Sequence, residues 1–217
     1  MNHIKKLREL PVLEGTFERI DFNYIPDNPQ ELFIKWLNEA IQNKCRNPHA
    51  MTVSTISEDG FPDARILILK NIDNRGWHFA IKSNSRKGRQ IIKNKAVTLS
   101  FYWSSMERQV KIIGEANEIK NSESRTDFQE RSKESKIASI ASKQSEILHS
   151  EFELNEKIKY AKKLLETDYN YVPDEWKVFA VKPISVEFWQ GHQNRLHDRV
   201  KYISLDNDNW KKNRLWP

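Results

Sequence analysis

The residues that invite a chemical reading lie near the end of the chain, in the stretch FWQGHQNRLHDRVKY, Phe188 to Tyr202. Arg195, His197 and Arg199 stand there at i, i+2 and i+4. An extended backbone would turn all three to one face and Leu196, Asp198 and Val200 to the other. A row of two guanidiniums and an imidazole suits an anionic ligand. A second candidate is SNSRKGRQ, where Ser85, Arg86 and Lys87 fall in the first turn of a predicted helix. Free backbone N–H groups and the helix dipole favour an anion at that end, although a solvated basic turn has the same composition. Arg65 and Lys70 bound the apolar run ARILILK. In an ideal strand they face opposite sides, so one ligand meets both only at a strand end or a bulge. Gln109, and Gln144 with Ser145, are uncharged polar groups in apolar company, suited to the edge of a heteroaromatic ring.

Familiar catalytic templates are missing: there is no G-x-S-x-G, H-E-x-x-H, G-x-x-x-x-G-K-[ST] or G-x-G-x-x-G. His192 and His197 have no third partner at metal-ligand spacing, and the single Cys45 excludes an intrachain disulfide and a Cys-rich zinc site. No metal is expected, and a bound organic cofactor is the more natural source of chemistry.

The elements that must position these groups follow from periodicity. Residues 1–27 have no clear period and are read as an N-terminal arm, with a single domain over 28–217. Asn28 caps and Pro29 opens a predicted helix whose apolar stripe is Leu32, Phe33, Trp36, Leu37, Ala40 and Ile41. The period then becomes two: AMTVSTIS, ARILILK and WHFAIKS, separated by turns at EDGFP and DNRG, read as a β-meander. A short helix over NSRKGRQIIKNK precedes two more strands, AVTLSFYW and RQVKIIGEANEI. About five antiparallel strands with few helices predict a small barrel. The chain turns helical and polar from Asn121 to Glu166, and WKVFAVKPISVEFWQG returns to strand.

Composition narrows the partners. Seven Trp, six Tyr and ten Phe among 217 residues supply a globular core despite 30% charged residues. The net charge of +6 is spread without a dense tract, so a small anion is favoured over nucleic acid. No apolar run approaches the ~20 residues that span a bilayer, and the N-terminus lacks an apolar leader core. A cytoplasmic protein without membrane contact is expected.

Taken in order, MTVSTISEDGFPDARILILK, SRKGRQI, FYW, ERQVKIIGEA, SKQSEIL, VEFWQGHQNRLHDRVKY and the terminal RLWP resemble the pyridoxine/pyridoxamine 5'-phosphate oxidase family. The resemblance implies a mainly β protein with flanking helices (α+β), a split β-barrel of the FMN-binding type, assembled as a homodimer. It further implies oxidation of pyridoxamine or pyridoxine 5'-phosphate to pyridoxal 5'-phosphate, with O2 as acceptor and H2O2 as product. The family's cofactor contacts fall on Arg65, Ile66, Leu67, Ile68, Leu69, Lys70, Ala80, Ile81, Ser85, Arg86, Lys87, Gln109, Gln144, Ser145, Trp189 and Arg199. Its substrate contacts fall on Lys70, Arg131 and Ser135 for the phosphate, with Arg195 and His197 beside the reacting carbon and given the catalytic role.

Departures from the family point to alternatives. A tyrosine that helps to hold the substrate phosphate is replaced by Asp127, which would repel a phosphate or pair with Arg131 and occupy it. An aromatic-Thr pair of the flavin strand is replaced by Ala80 and Ile81. The chain therefore also resembles the flavin oxidases of phenazine biosynthesis, which act on a different substrate. A non-catalytic binder of FMN or pyridoxal phosphate is the third possibility.

Overall fold

The computed structural model describes residues 3–13, 19–205 and 209–217. Among them the helices are α1 (His3–Arg8), α2 (Pro29–Gln42), α3 (Arg86–Lys93), α4 (Asn121–Gln129), α5 (Lys133–Ala141) and α6 (Glu151–Thr167). The strands are β1 (Ala50–Ile56), β2 (Pro62–Ile68), β3 (Asn71–Asp73), β4 (Gly76–Lys82), β5 (Ala96–Trp103), β6 (Arg108–Glu118), β7 (Trp176–Gln190), β8 (Asp198–Ser204) and β9 (Trp210–Arg214). The mainly β architecture with flanking helices is as expected, but the sheet holds nine strands, not about five.

Beyond those five, the sheet holds β3, the expected strand β7, and β8 and β9. The short strand β3 lies between ARILILK and the predicted DNRG turn, and pairs Asn71 with His78 and Asp73 with Gly76. The fifteen-residue β7 neighbours β6 and, besides it, serves two further partners in succession. Its first half pairs with β4, Trp176 opposite Lys82, and its second half with β8, Gln190 opposite Asp198. The sheet order is β2-β1-β5-β6-β7-β4-β3, with β8 on β7 and β9 on β8. Gly76 has φ +118°, and a Cβ there would lie 1.8 Å from the Val181 carbonyl oxygen, so only glycine admits the approach of β4 to β7.

The chain divides into two compact units. One comprises 1–52, 98–113 and 183–217, and the other 53–97 and 114–182. In the first, α2 begins as predicted: the Asn28 side chain accepts from the Gln30 N–H, and Pro29 occupies the first turn. Its buried face is Leu32, Phe33, Trp36 and Ala40, whereas Ile41, assigned to the stripe, is exposed. Phe33 meets Phe101 edge-on at 4.8 Å and Trp36 meets Phe188 at 5.2 Å. Full burial of each such aromatic is worth roughly 1.5–3 kcal/mol. In the second unit Trp77, Phe79, Ile81, Ile91 and Phe128 are buried, and Phe128, Val172 and Trp176 form a cluster on which Ala80 and Ile140 pack. No helix among the described residues is long and apolar enough to cross a membrane.

Candidate functional site

The predicted anion site at α3 is built from the second unit. Ser85 caps the helix: its hydroxyl accepts from the Gly88 N–H at 3.3 Å and donates to the Lys82 carbonyl at 2.7 Å. A Cβ at Gly88 would stand 2.4 Å from the carbonyl oxygens of Lys82 and Ser83, so glycine lets the helix start close against the end of β4. Arg86 and Lys87 occupy the first turn, as expected.

Asp63, which sequence reasoning missed, gathers the cations. Its carboxylate lies 2.7 Å from Arg65 Nη2 and 3.3 Å from Arg86 Nε, and accepts from Gln90 Nε2 at 3.2 Å. Burial pushes the Asp63 carboxyl up, but the Gln90 hydrogen bond and the charges of Arg65 and Arg86 outweigh it, and the group sits below the ordinary range. Arg65 is fixed further by Nη1, which donates to the Val53 carbonyl at 3.1 Å and to Thr55 Oγ1 at 2.7 Å. Asp63 and Arg65 share one face of β2 at i, i+2, the signal by which Asp63 was legible.

Lys87 is buried and donates to Gln144 Oε1, so two predicted residues meet there. Burial, and then the nearby Arg65 charge, bring the Lys87 ammonium down to about 8. Ser145 follows with a left-handed φ of +76°.

These residues fit the FMN that the sequence implies. Three cations face one carboxylate at a helix N-terminus, leaving positive charge for a phosphate monoester. The end strand β2 exposes Ile66 (65%) and Ile68 (41%), apolar side chains suited to a flat ring. Leu67 is half-buried, while Leu69 is buried and Lys70 lies just beyond the strand. Ile81 points into the core, and Ala80 packs on the Phe128 cluster.

A second group of predicted residues lies around α4 and α5. Lys70 Nζ is 3.1 Å from Asp127 Oδ1, and Trp176 Nε1 donates to Asp127 Oδ2 at 2.9 Å. Pairing with Arg131 was one of two outcomes open for Asp127; the ion-pair partner it has is Lys70. The Arg131 guanidinium sits over the Trp176 ring, 4.4 Å from its centroid, and Nη2 reaches the Ser135 carbonyl at 3.4 Å. Its buried Nε has no hydrogen-bond partner. A cavity of about 400 Å³ beside Lys70 is also lined by Glu123, Asp127, Glu130 and His78.

The remaining predicted residues belong to the first unit. The strand expected through Arg195 does not form. Residues 193–195 make a turn, Arg195 has φ +63°, its N–H donates to the His192 carbonyl at 3.0 Å, and β8 begins only at Asp198. The i, i+2, i+4 row is therefore not a strand face. Arg199, opposite Trp189 in the ladder, donates from Nε (3.0 Å) and Nη2 (2.6 Å) to Glu187 Oε1, and Lys111 holds the other Glu187 oxygen at 3.0 Å. Gln109, on β6, is half-buried.

His197 packs on Trp189 with ring centroids 4.8 Å apart, and its Nδ1 accepts from the His192 N–H at 3.1 Å. That bond assigns the lone pair to Nδ1, so the neutral ring carries its proton on Nε2. Burial, followed by the Arg195 and His192 charges, lowers the imidazole pKa and favours this neutral form.

Comparison with known proteins assigns the family. A model described as "Pyridoxamine 5'-phosphate oxidase" matches residues 37–164, and one described as "Pyridoxine 5'-phosphate oxidase C-terminal dimerisation region" matches 176–217. The chain is 37% identical to a pyridoxine/pyridoxamine 5'-phosphate oxidase of Nostoc punctiforme over 99% of this chain and 98% of that one. It is 42% identical to one of Photobacterium profundum, covering 90% and 92%. Among solved structures, PhzG from Burkholderia lata 383, in complex with tetrahydrophenazine-1-carboxylic acid, superposes with a TM-score of 0.87 at 28% identity, covering 94% of this chain and all of that one. The likeness confirms the split-barrel fold, and the dimerisation-region match supports a homodimer. With more than half of its length matched by the family's model and relatives this similar end to end, the chain belongs to the pyridoxine/pyridoxamine 5'-phosphate oxidase family of FMN-dependent oxidases.

Proposed function

We propose that this chain oxidises pyridoxamine or pyridoxine 5'-phosphate to pyridoxal 5'-phosphate, with O2 reduced to H2O2. The observation that carries this reading is the extent of the family match, which runs through both the α3 cluster and the His192–Asp198 turn. Bound FMN would supply the redox chemistry, accepting a hydride equivalent from the substrate and passing two electrons to O2. The α3 cluster would hold the cofactor phosphate through Arg65, Arg86 and Lys87. His197 would present its Nε2 proton, and Arg195 its guanidinium, to the polar groups of the substrate. Their contribution is orientation, since a neutral imidazole of lowered pKa donates a hydrogen bond without becoming a strong base.

A second reading is favoured by the Lys70–Asp127 pair. The cation expected to meet the substrate phosphate already has a carboxylate partner, which suits a substrate without a phosphate, such as a phenazine precursor. Anaerobic mixing with pyridoxamine 5'-phosphate while following flavin absorbance tests the first reading. Bleaching of the yellow protein is expected. Retention of full absorbance with every phosphorylated B6 vitamer, but bleaching with a reduced phenazine precursor, would replace it with the second. Arg195→Leu should leave a yellow dimer that bleaches more slowly, and unchanged reduction kinetics would remove Arg195 from the substrate side.

A further inference from the structure

We infer that Asp198 is a positioning residue that ties Arg19 of the N-terminal segment to the imidazole of His197. Asp198 is only 1% exposed, yet its carboxylate collects partners from three parts of the first unit. Arg19 donates from Nε at 3.1 Å and from Nη2 at 2.7 Å, one bond to each oxygen. The Ile20 N–H donates at 3.1 Å, and His192 Nε2 lies 3.0 Å from Oδ2. Arg214 Nη2 adds a longer ion pair at 3.6 Å. A carboxylate this buried stays ionised only because these donors offset its desolvation.

The consequence passes along the turn. A carboxylate accepts but does not donate, so the His192 nitrogen facing it carries a proton. The His192 ring is thereby pinned, and its own backbone N–H is the group that donates to His197 Nδ1. The strand before the turn is held independently: Gln190 accepts from Arg108 Nε at 2.7 Å and donates to the Met106 carbonyl at 3.0 Å. Between that anchor and β8, the Asp198–His192 contact is a side-chain tie that fixes where the His192 N–H points. The order Arg19, Asp198, His192, His197 thus sets which nitrogen of His197 bears the proton. Arg19 closes the arrangement from outside; its own side chain is largely exposed, so it can be exchanged without opening the core.

This inference rests on the proposed substrate-side role of His197 only for its effect on turnover. The tautomer itself is measurable in the FMN-loaded protein by nitrogen NMR of labelled histidine, above the pH at which the ring is neutral. In Asp198→Asn the ratio of Nδ1-protonated to Nε2-protonated His197 is expected to rise about two- to tenfold, the equivalent of one ordinary hydrogen bond. The rate of flavin reduction should fall with it while the substrate KM holds. Arg19→Met should move the ratio in the same direction by less, and Arg19→Lys should restore it. If Asp198→Asn does not fold, Arg19→Met decides. An unchanged ratio in the folded variants overturns the inference, and a shift in Asp198→Asn alone removes Arg19 from it. A shifted ratio without any oxidase activity would keep the positioning role and discard the proposed function.

Discussion

The α3 cluster and the Lys70–Asp127 group are made of the same residue types, yet their charges are arranged to opposite effect. At α3, one carboxylate, Asp63, gathers Arg65 and Arg86 with Lys87 nearby, so the cations outnumber their counterion at a helix N-terminus. Around Lys70, Asp127 takes the ammonium, Trp176 takes Arg131 through its ring, and Glu123 and Glu130 line the neighbouring cavity. The first arrangement leaves positive charge without a counterion, while the second has supplied its own carboxylates. Counting basic residues does not distinguish them; the position of the carboxylates does.

Substitution can break this contrast from either side. The largest effect is expected of Lys87→Met, which removes a buried cation: FMN affinity should fall by about 2–3 kcal/mol, the worth of a hydrogen bond to a charged group. Equilibrium dialysis against FMN measures it, and an unchanged affinity would take Lys87 out of the phosphate site. Arg86→Ala, at a more exposed position, should cost about 1.5 kcal/mol, with saturating FMN restoring turnover. On the other side, Asp127→Asn keeps an acceptor for Trp176 Nε1 but frees Lys70. It should tighten binding of pyridoxal 5'-phosphate by about 1 kcal/mol, a value held down by the partial exposure of the pair.

The smallest effect is one of pH. Burial and Arg65 depress Lys87 to about 8 in the free protein, and a bound phosphate would stabilise its protonated form. FMN binding should therefore take up a proton, and affinity should weaken as pH rises through 8, by about threefold between pH 7.5 and 8.5. Calorimetry in buffers of different ionisation enthalpy reads that proton directly. Uptake absent in wild type, or persisting in Lys87→Met, would assign the linkage elsewhere.

The sequence exposed what depends on neighbours along the chain. The Asn28–Pro29 start of α2, the presence of α3 after Asn84 and the alternation in β1 and β5 are local patterns that appear where their residues place them, with Ser85 capping α3 and not inside its first turn. The turn at 193–195 was hidden because an i, i+2, i+4 row looks the same in a strand as in a loop. Gly191 and Asn194, both turn formers, were its sequence signal. The partner of Asp127 was hidden for a different reason. Arg131 is four residues away in sequence, just past the end of α4, whereas Lys70 is brought in by the fold, and Trp176 offers Arg131 a ring that no local pattern announces.

The most direct test of this contrast is to weigh a phosphate group at each place in the same protein, by comparing FMN with riboflavin and pyridoxal 5'-phosphate with pyridoxal in binding titrations. A large increment is expected for the cofactor, roughly a hundredfold. A small one is expected for the B6 ligand, below about tenfold, with Asp127→Asn raising only the second. Equal increments in the wild type, or an Asp127→Asn change that alters the cofactor's increment instead, would contradict the contrast.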